Sequence, residues 1–366
     1  MISFALNVDT ICSQPPPLLR IGSNRTVTIS QRQAGSLLAC AFFCLFPYQF
    51  HGQTYQSINF HLLFKSGPPW QIEKLKCLLH YFQRITEKSM HTVKIYIGVL
   101  TFRRFALPDQ WRPKWMESQA PLCPIHIQTD ATIEDMHGHL QVDFANAFVG
   151  GGVMNTGIVQ EEIRFTICPE MLISILLCEV MQPNECIFLI GCEQYVSYRG
   201  YAQTFQAEDD YIDPTPIDNW GRKLSHVVAM DAICFSNPLD QYTTSNMHRE
   251  LDKAYTCFRL PKSYEQSMYG VATGNWGCGA FRGDEQLKAI IQIMAASEAM
   301  RPLIYITWYN PNLMESIWTV YEYLMKQQAS VRDLCNYLWQ YSTKFNQLPL
   351  FDFILKTSIS DLRKNL

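Results

Sequence analysis

Residues 142–165 read VDFANAFVGGGVMNTGIVQEEIRF, and the fold turns on how this stretch divides. Before the glycines, LQVDFA at 140–145 is short and apolar, as a strand is. After them, EEIRFTICPEMLISILLCEV at 161–180 predicts helix, with Pro169 interrupting it or starting a second one. Gly150, Gly151 and Gly152 permit backbone shapes and close approaches that a Cβ blocks. A flexible turn or a loop lying against a ligand explains the triplet equally, and Gly157 lengthens the relaxed segment beyond what a plain turn needs. Glu161 and Glu162 then open the helix. They either decorate a surface, complementing the helix dipole, or sit inside a cleft, since GIV at 157–159 is apolar. Consecutive helical residues diverge by about 100°, so the two acids cannot share one task.

The same alternation continues outward. ECIFLIG at 185–191, VVAMDAICF at 227–235 and LIYITW at 303–308 predict strands, and LKAIIQIMAASEAM at 287–300 an amphipathic helix. Strand, helix, strand implies a three-layer α/β unit with ligand sites at the C-terminal ends of strands. Toward the N-terminus the pattern is mostly helical. LLACAFFCLF at 37–46 predicts a buried helix, started by a Ser30–Gln33 capping box, with Cys40 and Cys44 on one face. In 68–85, Ile72, Leu75, Leu78, Leu79, Phe82 and Ile85 form one helical stripe. TVKIYIGVL at 92–100 alternates as a strand does. The irregular piece 107–124 suggests a division into 1–124, mostly helical and accessory, and 125–366, α/β with C-terminal helices near 313–326 and 330–342.

Composition narrows the function classes. An apolar fraction of 48% and an aromatic fraction of 13% belong to a folded chain. A net charge of −3 supplies no field for nonspecific nucleic-acid binding, so no direct DNA or RNA binding is expected. Thirteen cysteines without a C-x-x-C pair read as free thiols of a reducing compartment. The opening twenty residues lack a basic n-region and meet Pro15–Pro17, unlike a secretory signal. The early apolar run is half the length of about 20 residues that a membrane span needs. A soluble, intracellular protein is expected. No metal is implied: there is no H-E-x-x-H and no Cys/His cluster, and His137 and His139 read as surface residues.

A second glycine constellation, GVATGNWGCGAFRG at 270–283, places five glycines in fourteen residues. Its amides suit a phosphate or pyrophosphate. It is not a P-loop, because Gly274 is followed by Asn275 and not by Lys. Cys278 within it reads as a small packing residue and not a nucleophile.

VDFANAFVGGG followed by VQEEIRF, with VATGNWGCGAF, GCEQYVSYRGYAQTF at 191–205 and VVAMDA at 227–232, resembles the poly(ADP-ribose) glycohydrolases of eukaryotic type. The resemblance is specific over roughly 125–310 and weaker through the N-terminal region. It implies a macrodomain-like mixed sheet between helices with a helical accessory domain. It also implies hydrolysis of ribose–ribose O-glycosidic bonds, mainly from the chain end, without a cofactor. By position, Glu162 falls on the catalytic acid and Glu161 on the carboxylate that holds the bound ribose. Asp143 and Asn146 fall on polar residues that order the glycine loop and the distal ribose, with Gly150, Gly151, Gly152 and Gln160 in the same motif. Ile133 and Glu134 match adenine-recognising positions, and Tyr201 the aromatic that closes over substrate. Gly274, Asn275, Gly277, Cys278, Gly279, Ala280 and Phe281 match the diphosphate loop.

Departures from the pattern are Trp308 for phenylalanine, Tyr309–Asn310 for glycine and aspartate, and Met154, Asn155 and Thr156 for smaller residues. Arg103, Arg104, Arg112 and Lys114 are candidates to meet the distal polymer. The implied partners are poly(ADP-ribose) and ADP-ribosylated proteins, for a monomer in nucleus, cytoplasm or both. Two rivals use the same loops: an ADP-ribose-binding module without turnover, and a mono(ADP-ribosyl)-protein hydrolase. The intact Gln160–Glu161–Glu162 run favours hydrolysis, since a reader needs no acid at the scissile bond. Adjacent acids do not deliver the facing carboxylates, about 5 to 9 Å apart, of ordinary glycosidases, so Glu161 is not assigned as nucleophile.

Overall fold

The structure is a computed structural model that describes residues 1–47, 54–65, 67–90, 98–259 and 270–364. Its strands are β1 (Arg25–Ser30), β2 (Val99–Ala106), β3 (Ile125–Gln128), β4 (Leu140–Asp143), β5 (Glu185–Ile190), β6 (Val196–Arg199), β7 (Gln206–Asp210), β8 (His226–Ala229), β9 (Val271–Gly274) and β10 (Leu303–Ile306). Helices of eight residues or more are α1 (Gln31–Phe42), α2 (Pro69–Met90), α3 (Gln160–Ile167), α4 (Thr244–Phe258), α5 (Glu285–Glu298), α6 (Pro311–Lys326) and α7 (Val331–Tyr341). The chain gathers into two compact units. One holds Met1–Ala106, Asp143–Gln182 and Cys186–Ala229; the other holds Leu107–Val142, Pro183–Glu185 and Met230–Leu366.

In the first unit, β1 and β2 pair antiparallel with Ser30 opposite Val99, and β5 and β8 pair antiparallel with Ile187 opposite Ala229. Helix α1 begins as its capping box predicts: the Gln33 amide donates to Ser30 Oγ at 3.2 Å and the Ser30 amide to Gln33 Oε1 at 2.9 Å. It ends at Phe42, so Cys44 does not share a helical face with Cys40; Cys44 is exposed at φ +56° while Cys40 is buried.

Helix α2 departs from the predicted stripe. Ile72 and Leu79 are 59% and 50% exposed, while Gln71, Lys74, Cys77, Leu78, Tyr81, Phe82 and Ile85 are buried. The helix is turned so that two polar residues face inward, where Lys74 Nζ donates to two carbonyls and Gln71 Nε2 to one, while among the described residues Gln71 Oε1 has no partner. Most of the strand expected over 92–100 lies outside the described residues; the observed strand is β2. On β2, Arg104 is fully buried and donates to the carbonyls of Leu19, Glu179 and Val180 at 3.2, 2.6 and 2.7 Å. It is a structural arginine and is not available to a polymer.

The second unit carries parallel strands in the order β4, β9, β10, β3, with Leu140 beside Val271, Leu303 beside Val271, and Leu303 beside Ile125. Helix α5 is buried along Leu287–Ser297, Lys288 and Gln292 included, so it is an interior helix and not an amphipathic one. The strand predicted over 227–235 stops at Ala229, and the next carbonyl, Met230, accepts the Trp276 indole N–H at 2.7 Å. No helix among the described residues is long and apolar enough to cross a membrane.

Candidate active site

Strand β4 ends at Asp143, and the chain then runs through the glycine loop to α3. The first three residues of α3 act as a comb that grips this loop by its amides. The Phe144 N–H donates to Gln160 Oε1 at 2.8 Å. Glu161 takes two amides, Asn146 at 2.8 Å on Oε2 and Gly150 at 2.6 Å on Oε1. Glu162 takes Gly152 at 2.8 Å on Oε1 and reaches back to its own N-cap, Val159, at 2.9 Å on Oε2. Hydrogen bonds from amides to carboxylates are among the stronger ones available to a loop.

This arrangement explains the glycines by protein contacts. A Cβ on Gly151 would lie 2.6 Å from Glu161 Oε2 and 2.7 Å from Glu162 Oε1, and Gly151 sits at φ +50°. One on Gly150 would strike Ile175 at 2.8 Å, and one on Gly157 would meet Glu162 Oε1 at 2.8 Å. The loop is therefore drawn against the acids by contacts within the protein itself. Both acids are buried, at 3% and 7% exposure.

Asp143 is fully buried, and among the described residues neither of its carboxyl oxygens has a hydrogen-bond partner. Burial, and then Glu162, hold its carboxyl well above the usual carboxylate range, with Arg164 opposing. Burial, then Asp143 and Glu162, likewise raise Glu161 well above that range, against the pull of the Asn146 and Gly150 amides. Asn146 orders the loop directly, its Oδ1 accepting the Phe148 amide at 3.0 Å. Tyr201 stands beyond β6, where its phenol oxygen meets the backbone amide of Gln160. Burial raises this phenol, and that amide opposes the rise. The β6–β7 hairpin is held to α2 by the Ala207 amide on Glu73 Oε2 at 3.1 Å, by His80 on Asp210 at 2.7 Å, and by Arg84 on Asp210.

The remaining candidates lie in the second unit. Gly274 closes β9, its carbonyl accepting Gln292 Nε2 at 3.0 Å. Asn275 is held by Glu285 at 3.1 Å and by the Tyr305 hydroxyl at 3.0 Å. Gly277, at φ +74°, passes so near Ala232 that a Cβ would approach to 2.7 Å, whereas a Cβ on Gly279 would meet open space. Among the described residues, the amides of Gly277, Gly279 and Ala280 donate to no protein acceptor, as an anion-receiving loop requires. Phe281 offers its carbonyl to the Phe235 amide at 3.2 Å. Burial pushes the Cys278 thiol up, opposite to what a nucleophilic thiolate needs. Ile133 is buried, and the carbonyl of half-buried Glu134 accepts Gln141 Nε2 at 3.2 Å.

Trp308, 40% exposed, and Tyr309 stand at φ +51° and +55°, the left-handed region that explains why glycine is expected at 309. Asn310 takes over the expected aspartate's place as N-cap, accepting the Leu313 amide at 3.0 Å. Arg112 and Lys114 are engaged with acids, Arg112 with Asp109 at 3.1 Å and Lys114 with Glu117 at 3.3 Å.

The sequence reading missed an ion network beneath the second loop. Asp231 pairs with Arg249 at 2.5 Å and with Lys253 at 2.6 Å; Glu250 pairs with Arg249 at 2.6 Å and with Lys288. Lys288 Nζ also lies 3.9 Å from the centre of the Trp276 ring. The available signal was Lys288 and Gln292, four apart in an otherwise apolar helix.

Two family models match the chain. One, poly(ADP-ribose) glycohydrolase helical domain, covers residues 1–104; the other, poly(ADP-ribose) glycohydrolase macro domain fold, covers residues 112–315. Among curated relatives, "Probable poly(ADP-ribose) glycohydrolase 2" of Arabidopsis thaliana is 33% identical over 371 residues, 87% of this chain and 69% of its own. "Poly(ADP-ribose) glycohydrolase 1" of the same plant is 31% identical, over 92% and 74% of the two chains. "Poly(ADP-ribose) glycohydrolase 1" of Caenorhabditis elegans is 32% identical, over 85% and 40%. With a helical N-terminal part, a macrodomain fold and both glycine loops present, the chain belongs to the poly(ADP-ribose) glycohydrolase family.

Proposed function

We infer that this protein hydrolyses the ribose–ribose O-glycosidic bonds of poly(ADP-ribose), releasing ADP-ribose. The observation that carries the reading is the comb of Gln160, Glu161 and Glu162, which holds two buried carboxylates against a glycine loop. In this mechanism the Glu162 carboxyl gives its proton to the departing ribose oxygen as the bond to the anomeric carbon breaks. The carboxylate then takes a proton from water, whose oxygen bonds to that carbon. Glu161 binds ribose hydroxyls while fixing Asn146 and Gly150, and Tyr201 covers the sugar. The amides around Gly277–Ala280 receive the diphosphate.

Cleavage is mainly at the chain end, the mode that the family resemblance implies, and the last protein-linked unit is left behind. The free thiols suit a reducing compartment, nucleus, cytoplasm or both, and the protein works as a monomer.

The test compares wild type with E162Q on defined poly(ADP-ribose), measuring released ADP-ribose and, in parallel, ADP-ribose affinity. The reading expects loss of release with retained affinity. A wild type that binds and never cleaves is a reader; an E162Q that cleaves at the wild-type rate removes Glu162 from the mechanism.

A further inference from the structure

The comb grips the near side of the glycine loop, and a different element grips its far side. Helix α2 presents Trp70 and Lys74, four residues apart and so on one face. Lys74 Nζ donates to the carbonyls of Val153 and Asn155 at 3.0 and 2.8 Å, and the Trp70 indole N–H donates to the carbonyl of Thr156 at 2.9 Å. Lys74 is 1% exposed, and an ammonium is buried only where polar partners compensate it. Burial pulls it down to about 8, while Glu162 pulls the other way.

The carbonyls in question belong to a tight return. Gly152 offers its carbonyl to the amides of Asn155 at 2.9 Å and Gly157 at 3.1 Å, so fixing residues 153–156 fixes both glycines that flank Glu162 Oε1. All these contacts are to main-chain atoms, so the exposed side chains of Asn155 and Thr156 are free to exceed the smaller residues expected there, whereas Met154 is buried in the hydrophobic core.

We propose that Trp70 and Lys74 are positioning residues of the hydrolysis, which clamp main chain 153–156 so that the Gly152 amide stays on Glu162. The helical N-terminal part then supplies a component of the reaction centre. Neither residue touches the reacting atoms; both act through the loop, and this rests on the activity inferred above.

The experiment takes the full chain as wild type, K74M and W70F. It reads kcat and KM on poly(ADP-ribose), ADP-ribose affinity, and hydrogen exchange of the 150–160 amides. K74M is expected to lower kcat about 10- to 100-fold, the size of a small misplacement of a catalytic group, with KM and ADP-ribose affinity within about threefold. W70F, which keeps an aromatic ring but loses the indole N–H and some volume, lowers kcat less, and exchange at 150–160 quickens in both variants. If K74M fails to fold, W70F decides. Wild-type kcat and wild-type exchange in a folded variant overturn the clamp. A wild type that releases no ADP-ribose sinks the activity reading instead, and the exchange data still judge the clamp.

Discussion

Replacing Gly151 by alanine tests whether the two glutamates are fixed. The new Cβ would lie 2.6 Å from Glu161 Oε2 and 2.7 Å from Glu162 Oε1, distances that real Cβ atoms do not tolerate. Both atoms end flexible side chains, which normally swing away at little cost. Here each is tied to a backbone amide, Asn146 and Gly152 respectively, at 2.8 Å. The substitution therefore forces a choice between strain and broken bonds. A left-handed alanine costs about 1–2 kcal/mol, and each surrendered bond to a charged acceptor about 1.5–3 kcal/mol. The expected loss is about 2.5–5 kcal/mol if one oxygen yields and about 4–8 kcal/mol if both do. Turnover should fall at least about 100-fold, because the acid moves with the loop. Urea unfolding and ADP-ribose release measure the two effects. A G151A protein with the wild-type urea midpoint and turnover within about threefold of wild type would show that the glutamates are loosely held, and the comb would be a wrong description.

Other perturbations probe different parts. G279A adds a methyl group to open space, so its melting temperature should match wild type while ADP-ribose affinity weakens; unchanged affinity would mean that no ligand approaches there. D143N should gain on wild type in stability as pH rises above about 4, the ordinary carboxylate range. The sign follows because a folded carboxyl held above its unfolded value favours folding at low pH and loses that contribution as pH climbs through the folded value. A pH-independent difference in urea midpoint between the two proteins would contradict the raised carboxyl. D231N strips charge from the partner of Arg249 and of Lys253, which is fully buried, and should cost about 3–5 kcal/mol in urea unfolding; a loss under about 1 kcal/mol would make that network incidental.

What was legible in the sequence follows from what each signal depends on. The Ser30 cap, the strand at 140 and the break at Pro169 are local, and the structure has each of them. The face of α2 is not local. Ile72 and Leu79 lost their place to Gln71 and Lys74 because carbonyls wait on that side, Leu62 from the turn just before the helix and Val153 from a loop distant in the sequence, and periodicity counts apolar residues only. Arg104 fails for the same reason: on a strand it looks like one more exposed cation, and three carbonyls far away in the sequence make it a core residue. The glycine triplet suggested a loop lying against a ligand; what the structure places against it is the protein itself, Ile175 at Gly150, the Glu161 and Glu162 carboxylates at Gly151 and the Gly157 main chain at Gly152. Helix periodicity said that Glu161 and Glu162 diverge; it could not say that one loop wraps round to serve both.

That shared loop bears on how such a protein could lose its activity in evolution. In most enzymes the reacting side chain can be truncated while the scaffold persists, so catalytically dead copies arise easily. Here the acid is also a fastener: removing the buried Glu162 carboxylate takes from the part-buried Gly152 amide and from the Val159 amide at the helix start the acceptor that holds the loop to α3. A gene copy drifting from eraser to reader of ADP-ribose has few substitutions open to it at this position. Those that preserve an oxygen there are the ones to look for in silent descendants of the fold.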